Sequence, residues 1–403
     1  MMKRILSFLL VAIAVTFPVA AQKELKALRA FVKAKNTSEA MKEVARLEKD
    51  SICRFMPKLY ELAAKAQIQI NDVENEKVYL KKACDTAKLF ESTRQIFYYI
   101  HKADSLERCL MEMQGKHYAI DKDKVKLLQR YHKNLVAGTR YFYARKNYKE
   151  AQRHLDMLLS LVDSSLCGVI RIDTLSEDYA VDAYMFTFSA FQNNDFSAVE
   201  RYKTLLFNHP RYYPSTLEMY ARVANASGKL EKFEAYLRKG AEEFPLQHYF
   251  FDELASIYVA DERYSQAIVL ADQQLSADST SLRAMYLKAH ALYKLEDEAP
   301  CIEVCKKLTA ADTAHHYVEA NYYAGLFIMN KLQTIYLPTR IGSKAFERAK
   351  NEMKNVCEEA RPYLETYRKY CPSQHEKWAP LLYRVYLELN MGPEFEDVSR
   401  YVH

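Results

Sequence analysis

Apolar and small residues in the middle of the chain return every three or four positions, the spacing that gathers them on one face of an α-helix. Ala198, Tyr202 and Leu205 form such a face in a segment that opens at Asp195 and stops before Pro210. The figure recurs at Phe233, Leu237 and Gly240 before Pro245, at Ala267, Ala271 and Gln274 before Ser279, and at Cys301, Cys305 and Leu308 before Thr313. The leading positions are 198, 233, 267 and 301, so the interval is 35, then 34, then 34. A partner helix precedes each of the last three, carrying Ala221, Ala255 or Ala289 with Ala224, Tyr258 or Leu292 three positions on. Small residues let two helices approach closely, and the larger ones fill the space beside them. The pattern predicts helix pairs stacked in sequence.

The clearest single unit is Leu254-Ala255, Tyr258, the turn Asp261-Glu262-Arg263-Tyr264 and Ala267; Leu135, Phe142, Asn147-Tyr148, Ala151, Leu155 and Leu158 follow it closely. This resembles the tetratricopeptide repeat, a helix–turn–helix unit of about 34 residues. The Trp that often opens a repeat is absent except for Trp378, so the copies are degenerate. The resemblance implies an all-α fold, a right-handed superhelical solenoid of antiparallel helix pairs. It also implies a concave groove, built mostly from the first helix of each pair, of the kind that commonly holds an extended peptide or a partner helix.

Regular repeats are expected over 130–315 and degenerate helical repeats over 22–129. One copy there carries Leu28, Phe31, Ala40, Val44 and Leu47, and the period slips over 55–128. Over 316–403 the pattern predicts further helical repeats with an insertion at 329–350. Pro338 and Gly342 bracket a loop there, Lys344 to Tyr370 forms one long helix, and a final helix around Trp378, Leu382, Val385 and Leu389 caps the array. Thr174-Leu-Ser-Glu177, Ser215-Thr-Leu-Glu218 and Ser373-Gln-His-Glu376 have the form of capping boxes at helix starts. Pro300 suits a first helical turn.

Composition narrows the class. The 8 Gly and 11 Pro are few for a chain of many hairpins or βα loops, and 49% hydrophobic with 27% charged residues argues against disorder. The 31 Tyr beside one Trp suit half-buried surfaces, either between helices at the solvent boundary or along a ligand groove.

The segment 1–21 reads as a secretory signal: Lys3 and Arg4, an apolar run from Ile5 to Val15 broken only by Ser7, and Val19-Ala20-Ala21 before Gln22. Cleavage near Ala21 predicts an exported chain, periplasmic or secreted. The run is short for a membrane span and no Cys follows the cleavage site. A spanning helix needs an apolar stretch of about 18 residues or more, and none follows, so stable membrane insertion is not expected. Loss of Lys3 and Arg4 lowers the formal charge from +6 to +4, too small and dispersed a surplus to point to nucleic acid. The eight cysteines show no framework spacing, and most stand among apolar residues as buried small hydrophobes.

Candidate groove positions are Arg140 and Tyr143, then Glu218, Arg222 and Asn225, Asp252 and Ser256, Arg283, Tyr286, His290 and Tyr293, and Asn321. Arg222, Tyr286 and His290 lead this set. The metal-like cluster is His315-His316-Tyr-Val-Glu319, which lacks a second ligand pair and reads better as exposed histidines at a helix start. Cys301 and Cys305 lie one turn apart on a packing face, and Cys357 with Cys371 is a looser pair. No Gly-x-Ser-x-Gly, phosphate loop or dinucleotide fingerprint is present, so neither an enzyme nor a cofactor is expected. The leading expectation is a scaffold for a protein or peptide partner. Carbohydrate binding in an envelope uptake system and an enzymatic site in the 329–350 insertion stay open beside it.

Overall fold

The computed structural model describes residues 18–119, 121–163 and 173–402, and every regular element among them is helical. The expected signal, apart from its last residues, and Cys167 lie outside the described residues. Two compact units divide the chain, 1–216 and 217–403.

The first unit holds α1 (Pro18–Lys33) with α2 (Thr37–Leu47), α3 (Pro57–Tyr79) with α4 (Thr86–Met113), and α5 (Lys122–Ala144) with α6 (Tyr148–Ser160). Then α7 (Glu177–Gln192) is followed by a broken second helix, α8 (Phe196–Val199) and α9 (Lys203–Phe207) around the 3₁₀ turn Glu200–Tyr202. The break falls at Tyr202, whose ring sits edge-on to Tyr179 and Phe186 with its backbone at φ −110°. At 23 and 28 residues, α3 and α4 are too long for a repeat of the regular period, which is why the pattern slips over 55–128.

The boundary between units falls within α10 (Tyr213–Ala226), whose Tyr220 ring meets Tyr236 of α11 (Leu230–Glu243) at 6.2 Å. The second unit continues with α12 (His248–Ala260) and α13 (Tyr264–Ala277), then α14 (Leu282–Lys294) and α15 (Glu298–Ala311). There follow α16 (Glu319–Asn330) and α17 (Lys344–Tyr370), then α18 (His375–Glu388) and α19 (Gly392–Ser399). The long helix has the bounds its sequence suggests. The helix around Trp378 is not the last, because α19 follows it and buries Val398. Within each unit, helices adjacent in sequence are the ones that pack most closely.

One turn geometry sets the repeat. Lys35, Lys146, Asn194, Gly228, Glu262, Glu296 and Asn390 each take a left-handed backbone between the two helices of a pair. From Asn194 to Glu296 they stand at 194, 228, 262 and 296, an unbroken interval of 34. After each comes the crossing hydrogen bond of a Schellman turn: Asp195 N–H to Ala190 O at 2.9 Å, Lys229 to Ala224 at 2.9 Å, Arg263 to Tyr258 at 2.8 Å and Asp297 to Leu292 at 3.0 Å. The same residue then heads the next helix, so the chain reverses within two residues.

Measured from these turns, the second-helix anchors are Val199, Phe233, Ala267 and Cys301, all buried and 34 apart. The expected first anchor, Ala198, is only half-buried, and Leu206 rather than Leu205 reaches the core. The interval of 35 was thus a one-residue slip onto the neighbouring small residue. In the first helices Ala221 and Ala289 are buried as expected, but Ala255 is partly exposed, and Leu254 and Tyr258 fill its place.

None of the three expected capping boxes caps a helix. Ser176 rather than Thr174 heads α7, accepting the Tyr179 N–H at 3.2 Å. Ser215 lies inside α10, and the residue heading α18 is Gln374, without a side-chain cap bond. The working caps include Asn36, Asn147 and Asp195, each the residue after a left-handed one. Pro300 does lie in the first turn of α15.

Candidate functional site

In the second unit the first helices of successive pairs are stitched together along one face. The Arg222 guanidinium of α10 stacks 4.1 Å from the Tyr249 ring of α12 and is paired with Glu218 one turn back at 2.8 Å. Asp252 of α12 receives Arg283 of α14 at 2.7 Å, both largely exposed. Tyr286 of α14 packs 4.8 Å from Tyr317, in the turn before α16. His290 Nδ1 lies 3.0 Å from the Tyr323 hydroxyl, and the Tyr293 ring stacks on Tyr323 at 4.1 Å and 13°. Tyr322 joins this cluster beside Tyr293.

Seven of the twelve groove candidates therefore lie along this face with partners from a neighbouring repeat or helix turn: Glu218, Arg222, Asp252, Arg283, Tyr286, His290 and Tyr293. Asn225 is exposed on α10. Ser256 folds its hydroxyl back to Asp252 O at 2.9 Å. Asn321 is not a groove residue, since it is buried and bonds Val318 O at 3.3 Å. Tyr249, Tyr317, Tyr322 and Tyr323 complete the cluster, and the sequence reading did not select them. A signal was available in the density of tyrosine over 317–323, where the turn register decides which rings face the same way.

Burial governs the titration of the face. It pushes the Tyr249 and Tyr322 hydroxyls up to about 12. It raises Tyr286, and it raises Tyr323 further with help from Tyr286. Burial first and then Lys294 lower His290, against a smaller opposite pull from Glu319. The charges of the face, at Glu218–Arg222 and Asp252–Arg283, are paired.

Arg140 and Tyr143 stand in the first unit. Arg140 pairs with Asp182 at 2.6 Å. Tyr143 packs against Tyr148 and Phe188 at 5.9 and 6.0 Å, in a second aromatic group where Tyr184 stacks on Tyr212 at 4.6 Å.

The remaining candidates have structural roles. His315 is not at a helix start: it takes a left-handed turn ahead of α16, with its ring 4.3 Å from Tyr370. Cys301 and Cys305 are fully buried with sulfurs 3.9 Å apart, and Cys301 also faces Ala289 O at 3.5 Å. Cys357 lies along α17 and Cys371 at its end, separated by about 21 Å at about 1.5 Å rise per residue, out of disulfide reach.

Among the described residues one group has metal-ligating composition, Glu91, Glu150 and His154. The buried His154 ring meets Glu150 O at 2.8 Å and Phe90 O at 3.2 Å, so both nitrogens already face carbonyls. Arg94 holds Glu91 through two bonds and Arg153 holds Glu150 at 2.7 Å. These contacts tie α4 to α6 and occupy the atoms a cation would need.

No family model and no curated protein matches the chain. Among solved structures, the TPR domain of P58(IPK) is 11% identical, covering 95% of this chain and 98% of its own at a TM-score of 0.26. The human IFIT1 dimer with PPP-AAAA is 12% identical, with 97% and 92% covered at a TM-score of 0.23. A circular tandem repeat protein with novel repeat topology is 11% identical, with 94% and 87% covered at 0.19. Superpositions this loose leave the assignment to the chain's own geometry: helix–turn–helix units with left-handed turns at 194, 228, 262 and 296 make the described residues an all-α repeat with an interval of 34.

Proposed function

We propose that the chain is an exported scaffold that holds a protein or peptide partner along the face formed by α10, α12, α14 and the segment entering α16. The observation that carries this reading is the run of half-buried rings from Tyr249 through Tyr286 and Tyr317 to Tyr293, each held by a neighbouring repeat. Tyrosine offers an apolar face and a hydroxyl at small entropic cost, which suits contact with a peptide backbone and its side chains. Because the rings are already packed, little ordering cost remains for binding. The paired charges at the edges limit the desolvation penalty when a partner covers them. Export is supported by Lys3, Arg4, the apolar run after them and Val19-Ala20-Ala21.

Photo-crosslinking tests the reading. A crosslinking side chain at position 286 should capture one partner from the envelope fraction, and one at the exposed Val269 of α13 should not. Capture should fall at least tenfold when Arg222→Ala is added to the position-286 probe. Equal capture from both positions would overturn the assignment, and a glycan array positive for wild type and negative for Tyr286→Ala would move it to carbohydrate.

A further inference from the structure

The 335–343 segment joins α16 to α17, and both of its ends are fixed. Leu332 is buried before it and Ile335 packs on the core of the second unit. At the far end Ser343 Oγ accepts the Phe346 N–H at 3.1 Å and caps α17. Between these anchors a turn closes from Ser343 N–H to Arg340 O at 3.2 Å, with Gly342 at φ +76°. That backbone places Ile341 at the turn corner, where a polar residue or Pro is usual.

The crest of the segment is apolar and unsheltered. Tyr336 is 78% exposed, Leu337 39% and Ile341 82%. Single exposed apolar residues are ordinary, but three large ones close together on one loop mark a contact surface. Arg340 lies within the segment, and Lys344 and Arg348 follow on the first turns of α17, sharing a groove with Gly342, Glu347 and Glu352; all three cations are exposed and none forms a salt bridge among the described residues. Glu347 is the one acid between Ile335 and Arg348. This is the reverse of the tyrosine face, where the edge charges are paired.

We propose that this loop is a peripheral contact with an anionic membrane surface. Tyr336, Leu337 and Ile341 would enter the boundary between headgroups and acyl chains, while Arg340, Lys344 and Arg348 meet lipid phosphates. An apolar pocket on a protein could take the same side chains, but a rim of unpaired cations favours a surface of dispersed negative charge. No helix among the described residues is long and apolar enough to cross a membrane, so the contact is reversible. The proposal does not rest on the tyrosine face.

Co-sedimentation of the full chain with vesicles provides the test. The protein should pellet with phosphatidylcholine vesicles containing phosphatidylglycerol, and much less with phosphatidylcholine alone. Rising salt should weaken binding. Arg340→Gln, Lys344→Gln and Arg348→Gln should each lower it about fivefold, and Tyr336→Ser with Ile341→Ser should abolish it. Circular dichroism melting establishes that each variant is folded; the charge variants, which alter only exposed side chains, keep the test open if the apolar pair misfolds. No pelleting with anionic vesicles, or pelleting that the charge variants leave unchanged, overturns the proposal. So does a loop whose loss removes a protein partner while vesicle binding persists.

Discussion

His290 and Tyr323 meet across two repeats, imidazole Nδ1 to hydroxyl at 3.0 Å, on the face proposed to bind a partner. Burial holds the imidazole below its ordinary range, and Lys294 adds to this. The unfolded chain, with an unperturbed histidine near 6.5, therefore takes up this proton before the folded one does. Stability from this group is fully present above about pH 6.5 and is lost as the pH falls toward the lower folded value. His101, His132 and His154 are shifted the same way by burial, so they add to the slope. Thermal melts across this window should show a falling Tm, and His290→Leu should show a shallower fall. An unchanged slope in that variant would remove His290 from the account.

Gly240 is small because of one ring. A Cβ there would run into the ring of Phe250, which is fully buried in α12. Gly240→Ala should destabilise the protein by about 1–3 kcal/mol through overpacking. Adding Phe250→Leu should recover part of the loss, as a double-mutant cycle of melts would reveal.

The left-handed turn residues form a graded series. Gly228 takes this backbone without steric cost, while Glu262 and Glu296 take it against a Cβ clash. Gly228→Ala should cost about 1 kcal/mol, and Glu296→Gly should be neutral to stabilising by a few tenths, because glycine also loosens the unfolded chain. Denaturant midpoints measure both signs.

The cysteines should separate by exposure. Cys109 is exposed, whereas Cys53, Cys301, Cys305 and Cys357 are buried. Burial also pushes the Cys53 and Cys357 thiols up to about 11, which keeps them protonated at neutral pH. In a Cys167→Ser background a thiol reagent should find its fast-reacting group at Cys109, and Cys109→Ser should remove it. The four buried thiols should react only in denaturant.

Much of the architecture was legible in the chain itself. The i, i+3, i+4 spacing of apolar residues follows from helix geometry, which any packed helix must obey, and the interval of 34 is that spacing repeated between turns of one kind; the long helix from Lys344 is readable from the same spacing. Ala198 for Val199, and Thr174 for Ser176, were wrong by one or two positions because a small or hydroxyl residue next to the true position looks equivalent until the turn is known. Asn321 and Ala255 went wrong differently: spacing names a helix face, but neighbouring helices determine how much of that face they cover.

The sequence by itself determined an all-helical repeat, its period and most of the residues along one face of its second half. Local backbone preference and hydrophobic periodicity are carried by residues within a few positions of each other. Tertiary structure decided which of those residues meet. It brought Arg222 over Tyr249, Arg283 to Asp252, and Tyr317 and Tyr323 against the rings of α14. Contacts between residues a full repeat apart depend on the turn register and on how closely successive helices approach, and only the packed structure contains both.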